Sequence, residues 1–203
     1  FSILMDYLGR RTDYALYLMG PKGCGKSFAL RKALNQIIIE YEGFVPLVFT
    51  YRPEGSSGIL PPSKLASQED WGRRHSIFES RSLNELMDRA DAIAYEDIHY
   101  RFEGIIKRND PSRLSQISNT TCEELKMVLE KVEDGTKVIF VSENPISYYI
   151  EPLEAMGIDD RISKELKEIS LKLGQYPLDV AENFKEYREK INYISFCEVP
   201  PYD

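Results

Sequence analysis

The stretch Gly20-Pro21-Lys22-Gly23-Cys24-Gly25-Lys26-Ser27 constrains this chain more than any other. It fits the spacing G-x-x-x-x-G-K-[ST]. An apolar run, Ala15-Leu16-Tyr17-Leu18-Met19, leads in as a buried strand would, and Phe28-Ala29-Leu30-Arg31-Lys32-Ala33-Leu34 leads out as a helix would. Glycines let the backbone wrap closely around a bound anion with positive φ where needed. The N–H groups freed by that path point inward, at the positive end of the following helix. In a loop of this kind Lys26 contacts β- and γ-phosphates and the Ser27 hydroxyl is a ligand for Mg²⁺. The competing reading is a chance glycine-rich turn before a helix. Agreement of strand, loop, Lys-Ser pair and helix weighs against it.

A second stretch, Ala92-Ile93-Ala94-Tyr95-Glu96-Asp97-Ile98-His99, is a mostly apolar strand ending in two acids. Triphosphate chemistry needs acids at such a place: one carboxylate to hold the metal and one to orient the attacking water. A buried strand ending in a solvated acidic turn is the plainer alternative. Lys137-Val138-Ile139-Phe140-Val141 is another buried strand, ending in the polar Ser142-Glu143-Asn144-Pro145. Those polar groups would sit beside the γ-phosphate if this strand lies next to the first.

At 203 residues and a net charge of −7, the chain is long enough for one full core and too acidic to coat nucleic acid without specificity. The charge leaves room for a local basic patch. No apolar run approaches the roughly 18 residues needed to span a bilayer. Three dispersed cysteines, Cys24, Cys122 and Cys197, form neither a metal spacing nor a disulfide framework, which points to a reducing, cytoplasmic setting. His75 and His99 cannot make a metal site unaided. The chain begins at Phe1 rather than Met, which leaves open whether residues upstream, a targeting segment among them, are missing.

Residues 1–14 read as a short helix or turn whose Leu4, Tyr7 and Leu8 either contact a base or pack the core. Leu30, Ala33, Leu34, Ile37 and Ile38 recur at helical spacing, and Gly43 ends that helix. Residues 44–51 are the second strand, with Pro46 near its start. Residues 52–76 have loop chemistry and carry Trp71 beside Arg73 and Arg74. Ser82 and Glu85 form a capping-box pattern ahead of a helix. Residues 100–120 read as an insertion with a turn at Asn109-Asp110-Pro111; its Arg101, Lys107, Arg108 and Arg113 meet either DNA phosphates or only solvent. A helix follows over 121–133, another closes through 156–162, and 167–173 alternates as a fifth strand should. Pro177 opens a last helix over 178–193, and the tail is irregular.

With these motifs in this order the chain resembles the AAA+ ATPases of the P-loop NTPase class over about residues 1–190, and within them the initiator and helicase-loader branch. Tyr95-Glu96-Asp97-Ile98-His99-Tyr100 is similar to the acidic pair and Ile-His/Gln-aromatic run of that branch. Val141-Ser142-Glu143-Asn144-Pro145 is similar to its sensor 1 segment, and Asp160-Arg161-Ile162 to the place of its arginine finger. The resemblance implies an α/β, three-layer P-loop NTPase with a five-stranded parallel sheet and a short C-terminal helical lid. The nucleotide-binding core would cover 1–176, with a lid remnant and tail over 177–203.

The implied cofactors are ATP and Mg²⁺, cradled by Gly20, Pro21, Lys22, Gly23, Cys24, Gly25, Lys26, Ser27 and Phe28. Ser27, Glu96 and Asp97 would manage the metal, Glu96 at the ion and Asp97 at the water. Ser142 or Asn144 would be sensor 1, and Arg161 would enter a neighbouring subunit's site in a homo-oligomer or beside an AAA+ partner. As an alternative, Arg161 is an ordinary helix-end arginine. Glu-then-Asp departs from the family's usual order and points to weak hydrolysis. The plain sensor 2 motif is missing, with Arg188 the only candidate, and no helix-turn-helix follows. The expectation is an ATPase in DNA replication or on DNA-bound partners. A STAND-type switch with slow turnover and a DNA-packaging or translocating ATPase are the rival readings.

Overall fold

The computed structural model describes residues 1–12, 14–20, 22–23, 25–52, 57–59, 83–108 and 110–170. Helix α1 (Ser2–Gly9) precedes strand β1 (Leu16–Met19), and α2 (Lys26–Glu40) leads to β2 (Pro46–Tyr51) and a short β3 (Ser57–Ile59). Then follow α3 (Leu83–Arg89), β4 (Ala92–Glu96), α4 (His99–Arg108), α5 (Pro111–Glu133), β5 (Lys137–Ser142) and α6 (Ser147–Ala155). Residues 160–170 form a further helix, α7.

The strands lie in the order β1-β5-β4-β2-β3. Four are parallel, with β5 between β1 and β4, and β4 between β5 and β2. The expected sheet of five parallel strands is therefore corrected. The fifth strand, β3, is three residues long and antiparallel to β2. Residues 167–170, part of the stretch expected as a fifth parallel strand, are helical. There Ile162, Leu166 and Ile169 are buried at spacings of four and three, the period of a helix face.

Strand alternation divides the core between the two faces. Ala92 and Ala94 of β4 and Ile139 and Val141 of β5 pack with Leu4, Tyr7 and Leu8 of α1 and Leu30, Leu34 and Ile37 of α2. Ile93, Tyr95, Val138 and Phe140 face the opposite way, onto Phe102, Leu125, Val128, Leu153 and Leu166 from the later helices. On that second face Phe49, Tyr95, Phe140 and Tyr17 form an aromatic row across the four parallel strands, with centroids 5.0, 5.3 and 5.8 Å apart.

Leu4, Tyr7 and Leu8 are thus core residues. The Tyr7 hydroxyl bonds the carbonyls of Tyr14 (2.8 Å) and Val138 (2.9 Å) and accepts from the Val138 N–H (3.1 Å). That ties α1 to the beginning of β5, the end of the sheet away from the loop. Pro46 opens β2, as its missing N–H requires. The region expected as an insertion is two helices, with α5 beginning at Pro111 rather than near Thr121. Trp71, Arg73, Arg74, His75, Ser82, Asn109, Arg188, Cys197, the helix expected over 178–193 and the tail lie outside the described residues.

Candidate functional site

In a parallel sheet the strand carboxyl ends and the helix N-termini that follow them collect polar backbone groups at one edge. Here β1 runs into the glycine-rich loop and the loop into α2. Gly23 and Gly25 have φ of 82° and 88°, in the left-handed region, and a Cβ built on either meets nothing within 4 Å. Glycine is required there by the sign of φ, not by lack of room. Gly25 is the N-cap of α2, and no side chain caps the helix. The helix therefore presents its first-turn amides and the positive end of its dipole to the loop.

Lys26 is 5% exposed, and its Nζ donates to the Gly20 carbonyl at 2.6 Å, folding the ammonium back across the loop. Ser27 is half-buried in the first turn, Lys22 and Gly23 are exposed, and Phe28 is 72% exposed. Pro21 and Cys24 lie outside the described residues.

The acid pair comes to the same edge from β4. Alternation turns Glu96 to the face that carries α2, where Arg31 meets it: Nε donates to Oε1 at 2.7 Å and Nη2 to Oε2 at 2.5 Å. The Glu96 side chain is 1% exposed and that of Arg31 40%. The bond to Glu96 raises the Arg31 pKa further, with Asp97 adding a smaller effect. Asp97 is half-buried and has φ of 56°. Aspartate tolerates this left-handed region better than most residues. The turn is fastened by the Ile98 N–H to the Val141 carbonyl (3.1 Å) and the Tyr100 N–H to the Asp97 carbonyl (3.0 Å).

His99 opens α4 directly behind the acids and is 1% exposed. Its Nδ1 accepts from the Glu143 N–H at 3.4 Å, which places the neutral ring's proton on Nε2. Nε2 has no hydrogen-bond partner among the described residues and lies 3.6 Å from Glu143 Oε1. Burial pulls the His99 pKa below its usual value; Glu143, Asp97 and Glu103 oppose the shift, and Lys26 adds to it.

The third stretch arrives on β5, which does lie beside β1, with Ser142 in register with Met19. Its side chains are otherwise engaged. The Ser142 hydroxyl donates to the Asn144 carbonyl at 2.6 Å, as does Tyr17 at 3.1 Å, and Asn144 Nδ2 reaches the Tyr149 hydroxyl at 3.5 Å. Arg161 is exposed near the start of α7, where its Nη2 donates to Asn119 of α5 at 3.0 Å.

Lys26 and Ser27 from α2, and Glu96 and Asp97 from β4, thus share one edge of the sheet. Ser142 and Asn144 end the intervening strand with their polar groups on local partners, and Arg161 belongs to the α5–α7 surface. Sequence reasoning gave no role to Arg31, His99 or Glu143. The position of His99 directly after the acids was a usable signal, whereas Arg31 carried none.

The Ser27 hydroxyl and the two carboxylates are hard oxygen donors, the chemistry magnesium takes. Among the described residues no group of three or more His, Cys, Asp or Glu could hold an ion unaided. An ion at this edge would complete its shell from phosphate and water. A cleft of about 350 Å³ lined by Leu8, Ile37, Tyr41, Phe44 and Asp91 sits at the opposite end, where β2 and β4 begin. No helix among the described residues is long and apolar enough to cross a membrane. Comparison with protein families, with curated proteins and with solved structures returned no match.

Proposed function

We propose that this chain is a P-loop NTPase of the AAA+ kind that binds ATP with magnesium and hydrolyses it. The observation that carries this reading is the loop from β1 to α2: two left-handed glycines, an uncapped helix N-terminus and a buried lysine, facing a strand that ends in two acids. The loop amides and the α2 dipole would grip the phosphates. The Lys26 ammonium would leave the Gly20 carbonyl for the β- and γ-phosphates. Ser27, with a carboxylate from the Glu96–Asp97 pair, would hold the metal, which would supply positive charge to offset that of the phosphates. Asp97, and the His99–Glu143 pair behind it, would orient water.

Action on DNA or DNA-bound partners, and assembly that brings Arg161 to a neighbour's nucleotide, belong to the same proposal. The exposure of Arg161 is compatible with it. A switch with slow turnover is the second reading, and the commitment of Glu96 to Arg31 favours it.

Lys26→Ala tests the assignment by titration calorimetry with ATP and magnesium. The variant should lose about 100-fold in affinity, or about 2.8 kcal/mol, at unchanged circular dichroism. Undiminished affinity would refute the phosphate-loop reading. ATPase rate measured against protein concentration, with and without DNA, separates the motor from the switch: a rate that rises with both supports the motor.

A further inference from the structure

Resting on that nucleotide reading, we propose that Arg31 is the resident counter-cation of Glu96, so that the metal is held from Ser27 and Asp97 without Glu96 and the triphosphate binds with shallow metal dependence.

Ser27 and Arg31 are four apart on α2 and share a face, and helical side chains lean toward the N-terminus. The Arg31 head therefore lies over the turn that carries Ser27. From there it closes on Glu96 with a planar two-pronged contact at 2.7 and 2.5 Å. This fork geometry is the one an arginine makes best and a hydrated ion cannot imitate. The exposures of the two side chains, 40% and 1%, show which way the pair faces: Arg31 covers Glu96 from solvent.

An ion approaching from water meets the guanidinium before the carboxylate. Magnesium also keeps several of its waters and demands near-octahedral space. A carboxylate that is 1% exposed and has the guanidinium across both oxygens offers a hydrated ion no room in that direction. Asp97 is half-buried at the same strand end and is the accessible acid.

The electrostatic consequence follows from the charges. In a site with two bare acids, a divalent ion must offset carboxylates and phosphates together. Here one acid is already neutralised, which leaves Lys26 and the α2 terminus to meet the phosphates against Asp97 and Glu143, one carboxylate fewer than this edge carries. The nucleotide then needs the ion less for binding.

The test uses a non-hydrolysable ATP analogue, titrated in EDTA and in magnesium, with Mn²⁺ affinity of the complex read by electron paramagnetic resonance. For the natural chain the two affinities should differ by less than about fivefold, the low end of ordinary ligand coupling. Arg31→Gln exposes the charge of Glu96 to the phosphates and should widen the ratio to about 50-fold or more. Because that variant leaves a buried carboxylate unpaired and can fail to fold, the paired replacement Arg31→Met/Glu96→Gln is made beside it. Exchanging a buried ion pair for neutral groups of similar size is tolerated. The pair should restore the shallow ratio and keep Mn²⁺ affinity within about twofold, while Asp97→Asn loses it about tenfold or more. A steep metal dependence in the natural chain, or loss of Mn²⁺ in the paired variant, overturns the role given to Arg31 and leaves the nucleotide reading standing. Failure of the natural chain to bind the analogue in either buffer overturns both.

Discussion

Replacing Gly25 by alanine tests the backbone of the loop with packing held out of the comparison. A Cβ at Gly25 meets nothing within 4 Å, and the same holds at Gly9, the last residue of α1. The two positions differ in φ, which is 88° at Gly25 and outside the left-handed region at Gly9. An L-residue held in left-handed backbone costs about 1–2 kcal/mol. For a chain of 203 residues each kcal/mol moves the melting point by about 2–4 °C, so Gly25→Ala should melt about 2–8 °C lower. Gly9→Ala relieves the helix of a glycine, a gain of about 0.5–1 kcal/mol, and should melt about 1–4 °C higher. Parallel melts by circular dichroism without nucleotide are sufficient. If Gly25→Ala melts at or above the natural chain, the loop does not run through left-handed backbone and the geometry built on it is wrong.

Tyr7→Phe strips the partner from the buried Val138 N–H and carbonyl and should cost about 2–4 kcal/mol in denaturant titrations. The exposed Tyr148→Phe should stay within about 0.5 kcal/mol, and equal effects would count against the tether. Burial pushes the Tyr7 hydroxyl up to about 12, against 10.0 for a free tyrosine. The folded chain thus keeps a proton that the unfolded chain releases. That stability is complete below pH 10 and is lost as pH rises through 12. Tyr7→Phe should flatten this part of the stability profile only in part, because burial shifts Tyr17, Tyr51 and Tyr95 the same way. Arg161→Ala should change stability by less than about 0.5 kcal/mol and abolish any rise of ATPase rate with protein concentration. Survival of that rise removes Arg161 from the mechanism.

Local signals carried much of this structure. The spacing of Leu30, Leu34, Ile37 and Ile38 gives α2, and the apolar runs give β2, β4 and β5. Alternation at 167–173 misled because Ile169 belongs equally to a period of two and, counted from Ile162 and Leu166, to a helix face. The beginning of α5 was hidden because Ser118 and Thr121 occupy buried positions on its face and interrupt the apolar pattern. Pro111 marked a boundary there, at the first helical position, where its missing N–H goes unnoticed. The Arg31–Glu96 contact joins residues 65 apart in sequence. Each is ordinary in its own neighbourhood, and only the stacking of α2 on β4 makes them a pair.

The aromatic row formed by Phe49, Tyr95, Phe140 and Tyr17 crosses strands that are in register at those residues. Rings at such separations couple their electronic transitions, and strand periodicity sends a strand's ring to the opposite face, out of the row, if that strand slides by a single residue. The four rings therefore act as a built-in optical gauge. Near-ultraviolet dichroism from that row reports strand alignment one residue short of Glu96, on the very strand whose end governs the chemistry.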